Sequence, residues 1–126
     1  MVQLLRPLVL AGAVCSACLV ATACAFDHSA LNRSVDAGWH ALSAVLALAL
    51  VGVAALVARA GVVLVEVAAS GVAGGLAANS LVARSVGGVA DFVHAGGWIY
   101  SPGDLAMLGG TALLALATAI ATARAF

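Results

Sequence analysis

The sequence predicts an all-α integral membrane protein, a single domain over residues 1–126, with four transmembrane helices and both ends in the cytoplasm. Three observations carry this. Of the 126 residues, 65% are hydrophobic and only 8% are charged, whereas a soluble domain carries roughly 25% charged residues. The mean hydropathy is +1.21, so there is too little polar surface to coat a globule in water. The few charges divide the chain into four apolar stretches, each long enough as a helix to cross roughly 30 Å of hydrocarbon.

The first stretch covers about 7–26, the second about 39–58, the third about 61–83 and the fourth about 104–123. Lipid offers no hydrogen-bond partner to an open strand edge, and the alternation of a membrane barrel strand is absent, so helix is the expected form. Arg6, the apolar run and Ala23-Cys24 have the outline of a cleavable lipoprotein signal. The run is long, however, and Ala21, three residues before Cys24, is not the large aliphatic residue such signals use. The first span is therefore read as retained. Cys15, Cys18 and Cys24 all lie in it and read as small hydrophobes, with no disulfide or zinc spacing.

Orientation follows from the basic residues, all of which are Arg. Arg6, Arg59 and Arg124 fall on one side of the four spans with no acid beside them. Asp27, Asp36, Asp91 and Asp104 fall on the other, with Arg33 and Arg84. The side with unopposed Arg is expected to be cytoplasmic. The outer face then has two loops, about 27–38 and about 84–103. Arg59-Ala60 leaves only a tight hairpin between the second and third spans. The net charge of zero gives no sign of nucleic-acid binding.

Polar chemistry is scarce and concentrates near the outer face. Gly71, Gly75 and Asn79 recur every four residues and share one face of the third helix. Gly74 and Ala78 widen that small-residue stripe, which reads as a packing groove. Asn79 needs partners inside the bundle. In the second outer loop, Ser101-Pro102-Gly103-Asp104 opens the fourth helix as a capping box with Pro at its first position. Asp104 is thus explained as a cap, while Asp91 has no such structural role. If the two carboxylates meet they cannot both ionise easily, and they can share one proton. The ionised one can take a proton from water while the protonated one polarises a peptide carbonyl.

These elements, in this order, resemble the lipoprotein signal peptidase (signal peptidase II) family. The family pattern Gly-Gly-Ala-x-Gly-Asn at the end of its third helix is matched by Gly74-Gly75-Leu76-Ala77-Ala78-Asn79. Its Gly followed by Val-Val-Asp-Phe is matched by Gly87 or Gly88 and Val89-Ala90-Asp91-Phe92, with Trp98 following. Its Phe-Asn-x-Ala-Asp is matched by Tyr100-Ser101-Pro102-Gly103-Asp104. The resemblance is strongest over 74–110. It implies a four-helix aspartic-type endopeptidase of the bacterial inner membrane, with Asp91 and Asp104 as the catalytic pair at the extracytoplasmic face. Asn79, Ser101, Trp98 and Arg84 are its supporting or substrate-binding residues. The implied substrates are prolipoproteins, delivered laterally by the membrane lipid and cut before the lipid-modified Cys. No metal or organic cofactor is needed, and a monomer is favoured.

The chain departs from the family pattern at several points. The family Asp-Arg after its Asn is Val82-Ala83 here, with Arg84 one place further on. The family Asn before the second Asp is Ser101. The first outer loop, normally a small β platform with Asn-x-Gly-Ala, is about a dozen residues long, and only Asp36-Ala37-Gly38 resembles that stretch. These departures keep an alternative open, a non-catalytic relative that binds lipoprotein precursors or a membrane partner. Glu66, some 20 Å before Asn79 along the third helix, is too far away to join the outer site and is expected to snorkel or stay protonated. His28, His40 and His94 show no metal-ligand spacing. Thr111, Thr118 and Thr122 are expected to bond their own helix or pack against a neighbour.

Overall fold

The computed structural model describes residues 2–33 and 63–125. They are mostly helical. Helix α1 spans Val2–Ala25, α2 spans Val63–Val86 and α3 spans Pro102–Ala125. They correspond to the first, third and fourth predicted spans. The second predicted span, with His40 and Arg59, lies outside the described residues, as does Asp36. Among the described residues two helices are long and apolar enough to cross a membrane, those at Leu5–His28 and Val63–Val86, and Pro102–Ala117 is a shorter apolar helix.

Helix α2 is central: it packs along both α1 and α3, which touch each other little. Its small residues make this possible on two faces rather than one. A Cβ on Gly74 would meet the Ala11 carbonyl oxygen of α1 at 2.6 Å and the Val14 Cβ at 2.7 Å. A Cβ on Gly71 would meet the Ala106 carbonyl oxygen of α3 at 3.3 Å. One on Gly75 would collide with the Gly103 carbonyl oxygen. The predicted groove is therefore divided, Gly74 serving α1 while Gly71, Gly75 and Asn79 serve α3. On the α3 side the matching residue is Gly110, where a Cβ would lie 2.5 Å from the Ala68 carbonyl oxygen. Backbones this close gain dispersion contacts along the whole helix face.

Helix α1 begins before Pro7, the expected first residue of its span, and Pro7 lies inside it. Its ring removes one backbone donor, a loss confined to the second turn. Pro7 is also fully buried, and its carbonyl accepts a 3.0 Å hydrogen bond from the buried Ser70 hydroxyl of α2. Glu66, in the first turn of α2, is buried rather than reaching outward. With Arg6 it lines an apolar groove of about 470 Å³ between α1 and α2. As expected, the Thr111 hydroxyl bonds its own helix, donating to the Met107 carbonyl at 2.8 Å.

The expectation of helices joined by plain loops needs correction. Among the described residues, four short strands lie in the two predicted outer loops: β1 at Ala30–Asn32, β2 at Val89–Asp91, β3 at Val93–Ala95 and β4 at Trp98–Tyr100. Strand β1 follows a single 3₁₀ turn at Phe26–His28 and pairs antiparallel with β2, with Ala30 opposite Asp91 and Asn32 opposite Val89. Strands β3 and β4 form a hairpin, with Val93 opposite Tyr100. Outside the helices, backbone donors and acceptors still need partners, and pairing across the two loops supplies them. The strands are too short for an alternation signal, which is why the sequence does not announce them.

Candidate active site

The site forms where α2 ends, β2 crosses and α3 begins. Helix α2 stops at Gly87, whose φ of +76° suits only glycine well and whose N–H donates to the Ala83 carbonyl at 2.9 Å. Gly88 then passes so close to β1 that a Cβ would lie 2.8 Å from the Asn32 carbonyl oxygen. These two glycines turn the chain directly into β2, whose three residues are all buried. Asp91 is the last of them. The Phe92 N–H donates to the Tyr100 carbonyl at 3.1 Å, tying β2 to the hairpin. Gly96 and Gly97, with φ of +58° and +82°, close that hairpin in the manner of a two-residue type I′ turn.

The predicted capping box is formed. The Asp104 N–H donates to the Ser101 Oγ at 3.0 Å, and the Ser101 N–H donates to the Asp104 Oδ2 at 3.0 Å. Asn79 completes a closed ring. Its Nδ2 donates to the Asp104 Oδ1 at 2.9 Å, and its Oδ1 accepts from the Ser101 Oγ at 2.9 Å. Both carboxylate oxygens of Asp104 thus face N–H donors at a helix N-terminus. Gly103 makes room for it: a Cβ there would lie 2.6 Å from the Asn79 Cγ.

Asp91 is in the opposite situation. It is 9% exposed, and its Oδ1 has no hydrogen-bond partner. Burial raises its carboxyl above the ordinary range, the nearby charge of Asp104 raises it further, and a hydrogen bond from the Asn32 side chain opposes both. Burial and a neighbouring carboxylate each make a carboxyl hold its proton more strongly than it does in water. The two acids share one open cleft of about 380 Å³, with Asn32 and Tyr100 at its polar side and Ile99, Met107 and Leu108 forming an apolar wall. Two acids in unlike surroundings, one buried with a raised carboxyl and one ringed by donors, thus line the same cavity. That pairing can perform general acid and general base work on a polar bond lodged between them.

The other predicted residues fall in different places. Asn79 and Ser101 are buried behind Asp104 and do not line the cleft among the described residues, so they position the carboxylate. Arg84 is exposed in the last turn of α2 and is not part of the cleft lining. Trp98 is 70% exposed on β4, also outside that lining. Asn32 is a cleft residue that sequence reasoning missed. It follows the first span by only a few residues, and nothing nearby in sequence marks it. Only the pairing of β1 with β2 brings it to Asp91. Tyr100 and Met107 flank Asp104 in the sequence, and the cleft uses both. The chain matches no model of a known protein family, and no curated protein matches it.

Proposed function

We propose that the chain spans the bacterial inner membrane four times with both ends inside, and that it is a signal-peptidase-II-like aspartic endopeptidase. Its substrates on this reading are prolipoproteins, cut before the lipid-modified Cys at the extracytoplasmic face. One observation carries the reading: Asp91 and Asp104 line a single cleft in unlike environments, one buried with a raised carboxyl, the other ringed by donors. Protonated Asp91 donates to the scissile carbonyl oxygen while ionised Asp104 takes a proton from water, whose oxygen attacks the carbonyl carbon. On collapse of the tetrahedral intermediate Asp104 returns its proton to the leaving nitrogen, the C–N bond breaks, and Asp91 recovers its own proton. The apolar wall of Ile99, Met107 and Leu108 suits a substrate arriving from lipid.

The test is conversion of a tagged prolipoprotein in a strain lacking its own enzyme. Conversion is expected with the wild-type chain and is expected to fall by roughly 10²-fold or more in Asp91→Asn and in Asp104→Asn. Conversion that persists in both variants rejects the mechanism.

A second reading, a relative that binds lipoprotein precursors without cutting them, is favoured by Val82-Ala83 standing where the family has Asp-Arg and by the exposure of Arg84 outside the cleft. Retention of a prolipoprotein with no turnover, equal in wild type and Asp91→Asn, supports that reading over the first.

A further inference from the structure

The peptidase reading uses the β3–β4 hairpin only through Ile99 and Tyr100, which line the cleft, and leaves its tip and Trp98 without a role. Residues 92–103 contain no Asp, Glu, Lys or Arg. The hairpin is exposed continuously from His94 to Ile99. Trp98, at 70%, is the most exposed large hydrophobic residue described, and Ile99 is 45% exposed. A projection without acidic residues, Lys or Arg that bears an open indole is poorly suited to water on all sides.

Its position supplies the solvent it suits. Strand β2 starts just past the end of α2, and β4 runs through Ser101 into α3. The hairpin is therefore rooted at the level where two apolar helices end. Its apolar surface also continues onto a helix. Ile99 and Leu108 share the cleft wall, and on α3 Leu108 is 55% and Leu105 40% exposed. Tryptophan at such a boundary keeps its N–H wet and its ring in the acyl region.

We propose that the β3–β4 hairpin is an interfacial membrane anchor, with Trp98 and Ile99 entering the headgroup–acyl boundary of the leaflet beside the Asp91–Asp104 cleft. This rests on the membrane-spanning reading and is independent of peptide hydrolysis. It holds the open side of the cleft at the bilayer surface, at a set depth.

The test uses the full chain with Trp39→Phe, leaving Trp98 as the sole tryptophan, reconstituted in phosphatidylcholine vesicles. Nitroxides at the headgroup or upper acyl chain are expected to quench its fluorescence more than a nitroxide at the bilayer centre, and aqueous iodide is expected to quench little. Strong iodide quenching with no lipid quenching overturns the anchor. Shielding from both iodide and lipid overturns it as well, since a protein surface then covers the indole. If Trp39→Phe does not fold, Trp98→Phe in the otherwise native chain is expected to remove the signal quenched by shallow nitroxides, and no loss of that signal overturns the anchor. A chain that fails to float with the vesicles rejects the membrane reading itself, an outcome distinct from floating without lipid quenching of Trp98.

Discussion

Replacing Gly75 by Ala tests whether helix approach holds the site together. The added Cβ would meet the Ala106 Cβ and the Met107 Cγ, each at 3.1 Å, and would collide with the Gly103 carbonyl oxygen. Relieving these contacts requires α2 and α3 to part by on the order of 1 Å. The 2.9 Å bond from Asn79 to Asp104 lies one turn along α2 and one residue along α3 from that collision, so the shift breaks it. Overpacking costs about 1–3 kcal/mol, and loss of a hydrogen bond to a charged group costs about 1.5–3 kcal/mol. Better helix propensity returns about 1 kcal/mol. The net loss is therefore about 1.5–5 kcal/mol. Gly109→Ala makes the same chemical change in α3 where no described atom lies within 4 Å of the new Cβ. It is expected to be neutral or to stabilise by up to about 1 kcal/mol. Reversible unfolding of both variants by sodium dodecyl sulfate in mixed micelles, followed by circular dichroism, measures the difference directly. On the proposed peptidase reading, prolipoprotein conversion should fall in Gly75→Ala alone. Equal stability of the two variants would refute the close-packing argument.

Other expectations follow from individual groups. Asp91 has a folded carboxyl raised above its ordinary value of 3.8, so its contribution to stability is complete below that value and is lost as pH rises through the raised one. Asp91→Asn should therefore flatten this part of the pH–stability curve and raise stability at neutral pH, as read by detergent unfolding across pH; an unchanged slope contradicts the burial of this acid. Asn79→Leu leaves the Ser101 hydroxyl without its acceptor and Asp104 without one donor, and should destabilise by about 1–3 kcal/mol while lowering turnover more than substrate binding. Ser101→Ala removes the N-cap and leaves the Asn79 Oδ1 without its donor, and should cost about 1–3 kcal/mol in the same unfolding assay. Asn32→Ala removes the one interaction that lowers the Asp91 carboxyl, so the limb of the pH–rate profile assigned to Asp91 should move to higher pH.

Much of this molecule was legible from local signals. The three described helices follow from long apolar runs that lack the alternation of a strand. The capping box at Ser101–Asp104 was readable because it is a four-residue pattern, and the Gly71, Gly75, Asn79 face because helix geometry fixes which residues share a side. Tertiary structure decided the rest. Which neighbour each glycine serves depends on the placement of α1 and α3 around α2. The strands at 30–32 and 89–91 are stabilised by each other, so neither is visible alone. The unlike surroundings of Asp91 and Asp104 arise the same way: burial, the Asn32 contact and the shared cleft join elements far apart in the chain. A carboxyl's proton affinity is set by the groups folded around it, and a run of residue names does not contain those distances.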